Sequence, residues 1–347
     1  MKTYALVAGQ PDYLDAVQEA CFKEYRPEAY IKAVATPGGT GSVRHTIYNY
    51  TNSGDSVLVS DWYWKPYVTI SEEYGRKVDF YNLFNDKNEF NIKSFRESFE
   101  KLLNKQKRLV AIINSPAQNP TGYSLSDDEW KQVIDLMVEN AKDKENRIIL
   151  LVDAAYIDFA GKGNERRKFF KQFSNLPENI LVVIGYSLSK GYTMYGMRLG
   201  AAIGISSSKD IAEEFYYSCA HSNRANWSNC NRGAMEVMTR ISNDPKKSEA
   251  YEAEKAIYKN MLHKRAEAFV KASEDAGLEI LPYRDGFFVS IPCDNAKAIS
   301  DKLMEDNLFL IPLKKGLRFA VCAVSEEKCK KAPKMIKSIM DNIQKEK

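Results

Sequence analysis

Between about residue 41 and residue 205 the chain alternates short apolar runs with amphipathic stretches, and no other feature constrains its fold as strongly. Six runs read as strands: SVLVS (56–60), KVDFYNL (77–83), RLVAIIN (108–114), RIILLVD (147–153), ILVVIGY (180–186) and RLGAAIGI (198–205). Several are unbroken aliphatic runs rather than alternating ones, as strands buried on both faces of a parallel sheet require. Parallel neighbours need crossovers, and the intervening segments have helical periodicity. One of them opens on Ser126 followed by Glu129, a capping box ahead of WKQVIDLMV. A long charged stretch, 246–277, reads as a helix that leaves the sheet region and stops at Gly277. After it come LEILPY, FFVSIP, a helix over NAKAISDKLMEDN, then LFLIPL, LRFAVCAV and a last helix from Ser325. The sequence therefore predicts an α/β chain, with a large domain over 1–250 built on a mainly parallel sheet between helices and a smaller C-terminal α+β domain over 251–347.

Charge and cysteine usage exclude several functions. Fifty basic against 46 acidic residues leave a net charge of +4, scattered along the chain rather than gathered into the basic footprint of a nucleic-acid binder. The six cysteines are widely spaced, with no C-x-x-C pair, and three histidines are few for a zinc site. They read as reduced thiols. The opening MKTYALVAGQPDY is broken by Gly9 and Pro11 before a signal-peptide core can form, and no run reaches the ~20 apolar residues of a membrane helix. The expected location is the cytoplasm, with no nucleic-acid and no membrane partner.

The residues that carry chemistry fall at the predicted strand ends, where α/β folds gather ligands. Ser187-Leu188-Ser189-Lys190 follows ILVVIGY directly, and Arg198 stands eight positions on, across a Gly-containing loop. A lysine that forms a Schiff base needs its amine at such a strand end, near a cation that can anchor a phosphate. Asp153 ends an apolar strand, and a buried carboxylate there calls for a cationic partner such as a protonated ring nitrogen. Its plain alternative is a helix N-cap. Tyr156 lies within reach of a ring hydroxyl. Asn119-Pro120-Thr121-Gly122 follows RLVAIIN and offers an amide to a ring oxygen, although the same four residues also make an ordinary turn. Thr36-Pro37-Gly38-Gly39-Thr40-Gly41 opens a helical pattern and would aim free N–H groups at a phosphate. It has neither the Walker lysine nor the G-x-G-x-x-G spacing of nucleotide folds. Trp64, in Asp61-Trp62-Tyr63-Trp64 beyond SVLVS, offers an indole to stack on a flat ring, or simply packs.

Taken in order, KTYALVAG, TPGGTGSVR, NPTG, DAAY, SLSK with Arg198, RANWSN and GLRFAV resemble the aspartate aminotransferase family, class I/II of the fold-type-I pyridoxal-phosphate enzymes. The resemblance runs over most of the chain and implies a seven-stranded, mainly parallel sheet and pyridoxal 5'-phosphate as cofactor. It implies that Lys190 carries the cofactor and shuttles the proton, and that Asp153 keeps the ring nitrogen protonated. Tyr156 and Asn119 would bind the ring hydroxyl, Trp64 would stack on the ring, and Gly39, Thr40, Ser187 and Arg198 would hold the phosphate. Arg318 would grip the substrate α-carboxylate. Arg224 would reach the distal carboxylate across a homodimer, and Tyr4 the neighbour's phosphate.

The implied reaction is transamination between an amino acid, of aspartate or aromatic type, and a 2-oxo acid such as 2-oxoglutarate. A lyase or decarboxylase uses the same ring-binding set, and a non-catalytic cofactor-binding homologue or regulator remains a further alternative. Two departures stand out. Family members carry several dozen residues ahead of the KTYALVAG-like segment, so here the substrate gate is expected to be built otherwise or to be missing. Ser228-Asn229-Cys230-Asn231 also lacks the prolines expected after Trp227.

Overall fold

All six sequence-predicted strands form, and a seventh precedes them. The strands are β1 (Tyr30–Thr36), β2 (Ser56–Ser60), β3 (Lys77–Tyr81), β4 (Arg108–Asn114), β5 (Arg147–Asp153), β6 (Ile180–Ser187) and β7 (Gly200–Ser206). They make one sheet in the order β1-β7-β6-β5-β4-β2-β3. Every strand runs the same way except β7, which is antiparallel to both β1 and β6. The computed structural model describes residues 4–345, so Lys2 and Thr3 of the KTYALVAG segment lie outside the described residues. β1 escaped the sequence pattern because Tyr30 and Lys32 are exposed on this edge strand, which breaks the apolar run.

This sheet belongs to a unit that takes the chain up to Ser115 together with Leu125–Glu252. Its core is built from Val57, Val59, Val110, Ile112, Ile149, Leu151, Leu181 and Val183, with Val43 and Ile47 from the helix Gly38–Tyr50 and Phe215 from the helix Lys209–Asn226. The Ser126 capping box is present: Glu129 N–H donates to Ser126 Oγ (3.2 Å) and Ser126 N–H donates to Glu129 Oε2 (2.7 Å).

The helix Gly38–Tyr50 is buried along most of its length and takes polar groups inside with it. His45 is fully buried, and its Nε2 donates to Asn223 Oδ1 (2.8 Å), which Trp227 Nε1 also reaches (2.8 Å). The Asn223 amide nitrogen donates to Val7 O and Ala35 O, both at 2.9 Å, so one side chain ties four segments together. Trp227 stacks on the imidazole with 4.9 Å between centroids. Burial drives the His45 pKa down to about 4, the Arg44 charge pushing the same way while the Asn223 bond resists.

The second unit contains Pro116–Ser124 and the described chain from Ala253 onward. The segment 116–124, which a boundary after residue 250 leaves with the sheet, is thus part of this unit. Its three strands are β8 (Phe288–Pro292), β9 (Ile311–Leu313) and β10 (Gly316–Ala320), antiparallel in the order β8-β10-β9. Val289, Ile291, Leu317 and Phe319 pack there with Ile299 and Leu303 of the helix Ala296–Glu305 and Ile336 of the helix Glu326–Lys345. LEILPY forms no strand. Leu281 N–H donates to Ser290 O (2.8 Å), but Pro282 has no N–H to continue a ladder. Among the described residues no helix is long and apolar enough to cross a membrane.

Because the folded chain holds His45 neutral while the unfolded chain protonates near 6.5, this group's contribution is intact above pH 6.5 and is lost as pH falls from 6.5 through about 4. Urea titrations across that range should show about 3 kcal/mol of pH-dependent stability that a His45→Gln variant lacks. Equal slopes for both proteins would place the dependence elsewhere.

Candidate active site

The register of the parallel strands sets the site. Asn114 pairs with Asp153, and Asp153 with Gly185, so the segments following β4, β5 and β6 leave the sheet at one edge. Asp153 is buried, and its Oδ2 accepts from Tyr67 Oη at 2.5 Å, its Oδ1 from Ala155 N–H at 3.2 Å. Asn114 Nδ2 fixes its backbone through the Asp153 carbonyl (2.7 Å). Burial raises the Asp153 pKa, while the Tyr67 hydroxyl, the Ala155 N–H and the Lys190 charge act to lower it.

Lys190 stands in a single helical turn, Leu188–Gly191, immediately after β6. Its Nζ lies 5.3 Å from the centroid of the Tyr156 ring and 5.6 Å from that of Tyr195. Burial lowers its pKa, Arg198 lowers it further and Asp153 opposes both. Tyr156, itself buried, stands three residues beyond Asp153. The sequence-predicted trio of Lys190, Asp153 and Tyr156 is therefore brought together.

The phosphate candidates also converge. The helix Gly38–Tyr50 begins after Pro37 with no side chain capping its first N–H groups. Gly38 has φ +68°, a backbone conformation that favours glycine, and a Cβ there would lie 2.5 Å from Arg198 Nη2, so the guanidinium stands close against the helix start. Ser187 is buried at the end of β6, and a Cβ on Gly39 would stand 3.4 Å from its Cβ. Thr40 follows in the same first turn. Arg198 Nη1 donates to Ser189 Oγ (3.2 Å) and Tyr195 O (2.9 Å). Trp64 is half-buried and meets Tyr67 edge-on, with 5.4 Å between centroids.

Asn119 and Arg318 come together in the second unit. Arg318 Nη1 donates to Asn119 Oδ1 (2.8 Å), and its guanidinium lies 4.2 Å from the Phe288 ring centroid. Asn119–Pro120 is a cis peptide, and Ser290 Oγ donates to the Pro120 carbonyl (2.9 Å). Arg224 and Tyr4 are not drawn into the first unit's cluster. Arg224 is exposed near the end of its helix, within 3.4 Å of Ser228 Oγ, and the Tyr4 side chain is 89% exposed.

Three residues of this region went unnoticed in the sequence. Tyr67 is one, and its signal was indirect: a buried carboxylate at 153 needed a donor, and Pro66 starts a helix just past the β2 end. The others are Asp158 and Arg167, a fully buried ion pair (Nη2 to Oδ1 2.7 Å) beneath the Lys190 turn. Tyr186 Oη donates to Asp158 Oδ2 (2.7 Å), and a Cβ on Gly191 would collide with that same oxygen, so the turn rests directly on the carboxylate. Tyr251 Oη donates to Gly191 O (2.8 Å) and its ring stacks on Tyr192. Among the described residues no group of His, Cys, Asp or Glu could hold a metal ion.

A seven-stranded sheet with one reversed strand in one unit and a three-stranded antiparallel sheet in the other make up the fold of the pyridoxal-phosphate-dependent transferases. The chain belongs to the aminotransferase class I and II family, whose model matches residues 1–336. An aminotransferase from Anaerococcus prevotii of known structure is 45% identical and superposes with a TM-score of 0.96, over 98% of this chain and 83% of that one. An aspartate aminotransferase of Escherichia coli is 24% identical over 282 residues, which cover 80% of this chain and 68% of that protein. An aromatic-amino-acid aminotransferase of Pseudomonas aeruginosa is 26% identical over 215 residues, and the match spans 61% of this chain and about half, 51%, of that protein.

Removing one partner of the Asp158–Arg167 pair leaves a buried charge uncompensated. Arg167→Met should lower unfolding free energy by about 3–5 kcal/mol in urea titrations. The double variant Arg167→Met with Asp158→Asn should recover part of that loss, whereas additive losses would deny the coupling.

Proposed function

We propose that the protein is a pyridoxal-phosphate-dependent transaminase, moving an amino group from an amino acid of aspartate or aromatic type to a 2-oxo acid such as 2-oxoglutarate. One observation carries the reading: a half-buried amine of lowered basicity, Lys190, stands in the fields of both a buried carboxylate, Asp153, and a guanidinium, Arg198. The names of the aspartate and aromatic-amino-acid relatives support donors of those kinds.

The residues present fit the cofactor. An uncapped helix start, Ser187 and Arg198 form a cradle for a phosphate in which a Cβ at Gly38 would stand. Bound there, pyridoxal phosphate supplies an electron-poor ring that takes up the electron pair left when the substrate α-carbon loses its proton. Gly39, Thr40, Ser187 and Arg198 hold the phosphate. Asp153 keeps a proton on the ring nitrogen, Tyr156 binds the ring hydroxyl and Trp64 covers a ring face, while for Asn119 it is the resemblance of its NPTG motif that assigns it to the ring hydroxyl. Lys190 Nζ, its proton affinity lowered by burial, carries the cofactor and then takes and returns the α-proton. Arg318 receives the substrate carboxylate as a two-pronged donor, exchanging for it the amide oxygen of Asn119.

Tyr4 and Arg224, both exposed, serve the site of a second copy in a homodimer, Tyr4 at the phosphate and Arg224 at a distal carboxylate. The six cysteines are all free, in keeping with a cytoplasmic location.

Purified protein titrated with candidate amino acids should change its visible absorbance, and with 2-oxoglutarate present it should form glutamate. Pyruvate or ammonia released with no acceptor would mark a lyase instead. Lys190→Ala should remove the borohydride-reducible adduct and lower turnover on the order of 10²–10⁴-fold. Arg224→Ala should cut kcat/KM for aspartate by roughly 10–100-fold, the worth of one charged hydrogen bond, while leaving an aromatic donor nearly unaffected. Equal losses on both substrates would remove the distal-carboxylate role.

A further inference from the structure

Tyr67 has no place among the residues assigned so far, yet it makes the shortest contact with Asp153. Its hydroxyl donates to Oδ2 at 2.5 Å from a side chain that is 1% exposed. The donor is rigidly held. Tyr67 sits in the helix Pro66–Glu73, which begins on a proline, and Ser71 Oγ donates back to its carbonyl (2.8 Å). Trp64 packs edge-on against its ring, and the ring belongs to the apolar core that includes Val57 and Val110.

The groups that face Asp153 and its donor are few. Tyr67 and the Ala155 N–H contact the carboxylate, Lys190 acts on it through space, Tyr156 and Tyr81 lie near Tyr67, and Arg198 acts on Lys190. Of the two side chains that stabilise the charge on Asp153, Lys190 is the one that must lose its own charge to act as nucleophile or base. Whenever it does, its support for Asp153 lapses. Tyr67 does not share that fate, because burial and the adjacent carboxylate keep its phenol protonated.

We propose that Tyr67 holds Asp153 in the ionised form that the cofactor ring nitrogen requires, and so acts as a positioning residue for the reaction. The proposal rests on the reading of Asp153 as the partner of that nitrogen. Its charge-assisted hydrogen bond persists through every protonation state of Lys190.

The test uses cofactor-loaded protein, with ring-¹⁵N-labelled pyridoxal phosphate and ¹³C-carboxyl-labelled aspartate, the Asp153 signal being the one that Asp153→Asn removes. In the unaltered protein the ring nitrogen should read as protonated and Asp153 as ionised at pH 7. In Tyr67→Phe the pH at which Asp153 takes a proton should rise by about one to two units, the effect of losing one charged hydrogen bond. The nitrogen signal should move toward that of unprotonated pyridine. Tyr67→His, which keeps a ring-borne donor, should restore much of both signals. Lowered stability in Tyr67→Phe with neither signal moved would make Tyr67 merely structural and overturn the proposal. So would a protonated Asp153 in the unaltered protein at pH 7, a measurement that needs no variant to fold. If Asp153→Asn itself leaves the nitrogen signal in place, the assignment of Asp153 to the ring fails, and the role of Tyr67 fails with it.

Discussion

The in-register ladder across β4, β5 and β6 is the constraint from which the rest follows. Asn114, Asp153 and Gly185 lie side by side on adjacent strands, and the carboxylate is buried where the strands end. A charge in that position is tolerated only with donors around it. Tyr67 and the Ala155 N–H supply them, and the charge of Lys190 acts on the carboxylate through space. The helix Gly38–Tyr50 packs across the same sheet and brings an uncapped N-terminus to the neighbourhood of Ser187 and Arg198. A site of this kind is a consequence of strand register, since a slip by one residue would turn Asp153 to the opposite face.

Much of the fold was legible in the sequence because parallel strands buried on both faces leave continuous aliphatic runs. SVLVS, RLVAIIN and RIILLVD coincide with β2, β4 and β5 to the residue. Strand β1 was not legible, for its first residues are exposed at the sheet edge and read as a mixed segment. The reversal of β7 was hidden too, because direction is set by which neighbour a strand meets and leaves no mark in composition. Residues that act through a motif, such as Lys190 and Arg198 in one loop, could be found by spacing. Tyr67, Asp158 and Arg167 could not. Their partners lie 86 positions away for Tyr67, and the Asp158–Arg167 pair looks like ordinary surface charge until its burial is known.

Two groups of buried polar side chains in the first unit lie against the elements that carry the candidate site. The Asn223 amide gathers Val7, Ala35, His45 and Trp227 behind the helix that faces the phosphate cradle. The Asp158–Arg167 pair, with Tyr186, underlies the turn that carries Lys190. Fully satisfied networks of this kind fix geometry more sharply than an apolar interior does, because each has one arrangement in which every donor finds its acceptor.

The reversal of β7 gives the loop between Ser187 and Gly200 the form of a clasp. Its ends are fastened by the pairing of Ser187 with Gly200 and by Leu188 N–H on the Leu199 carbonyl (3.1 Å). Lys190 stands just inside one fastening and Arg198 just inside the other, and the exposed crown from Tyr195 to Met197 reaches both, Tyr195 O accepting from Arg198 Nη1 (2.9 Å) and the Tyr195 ring centroid lying 5.6 Å from Lys190 Nζ. Closing a slightly longer ring costs little entropy. What constrains the crown is therefore its contact with the amine and the guanidinium rather than the closure of the loop.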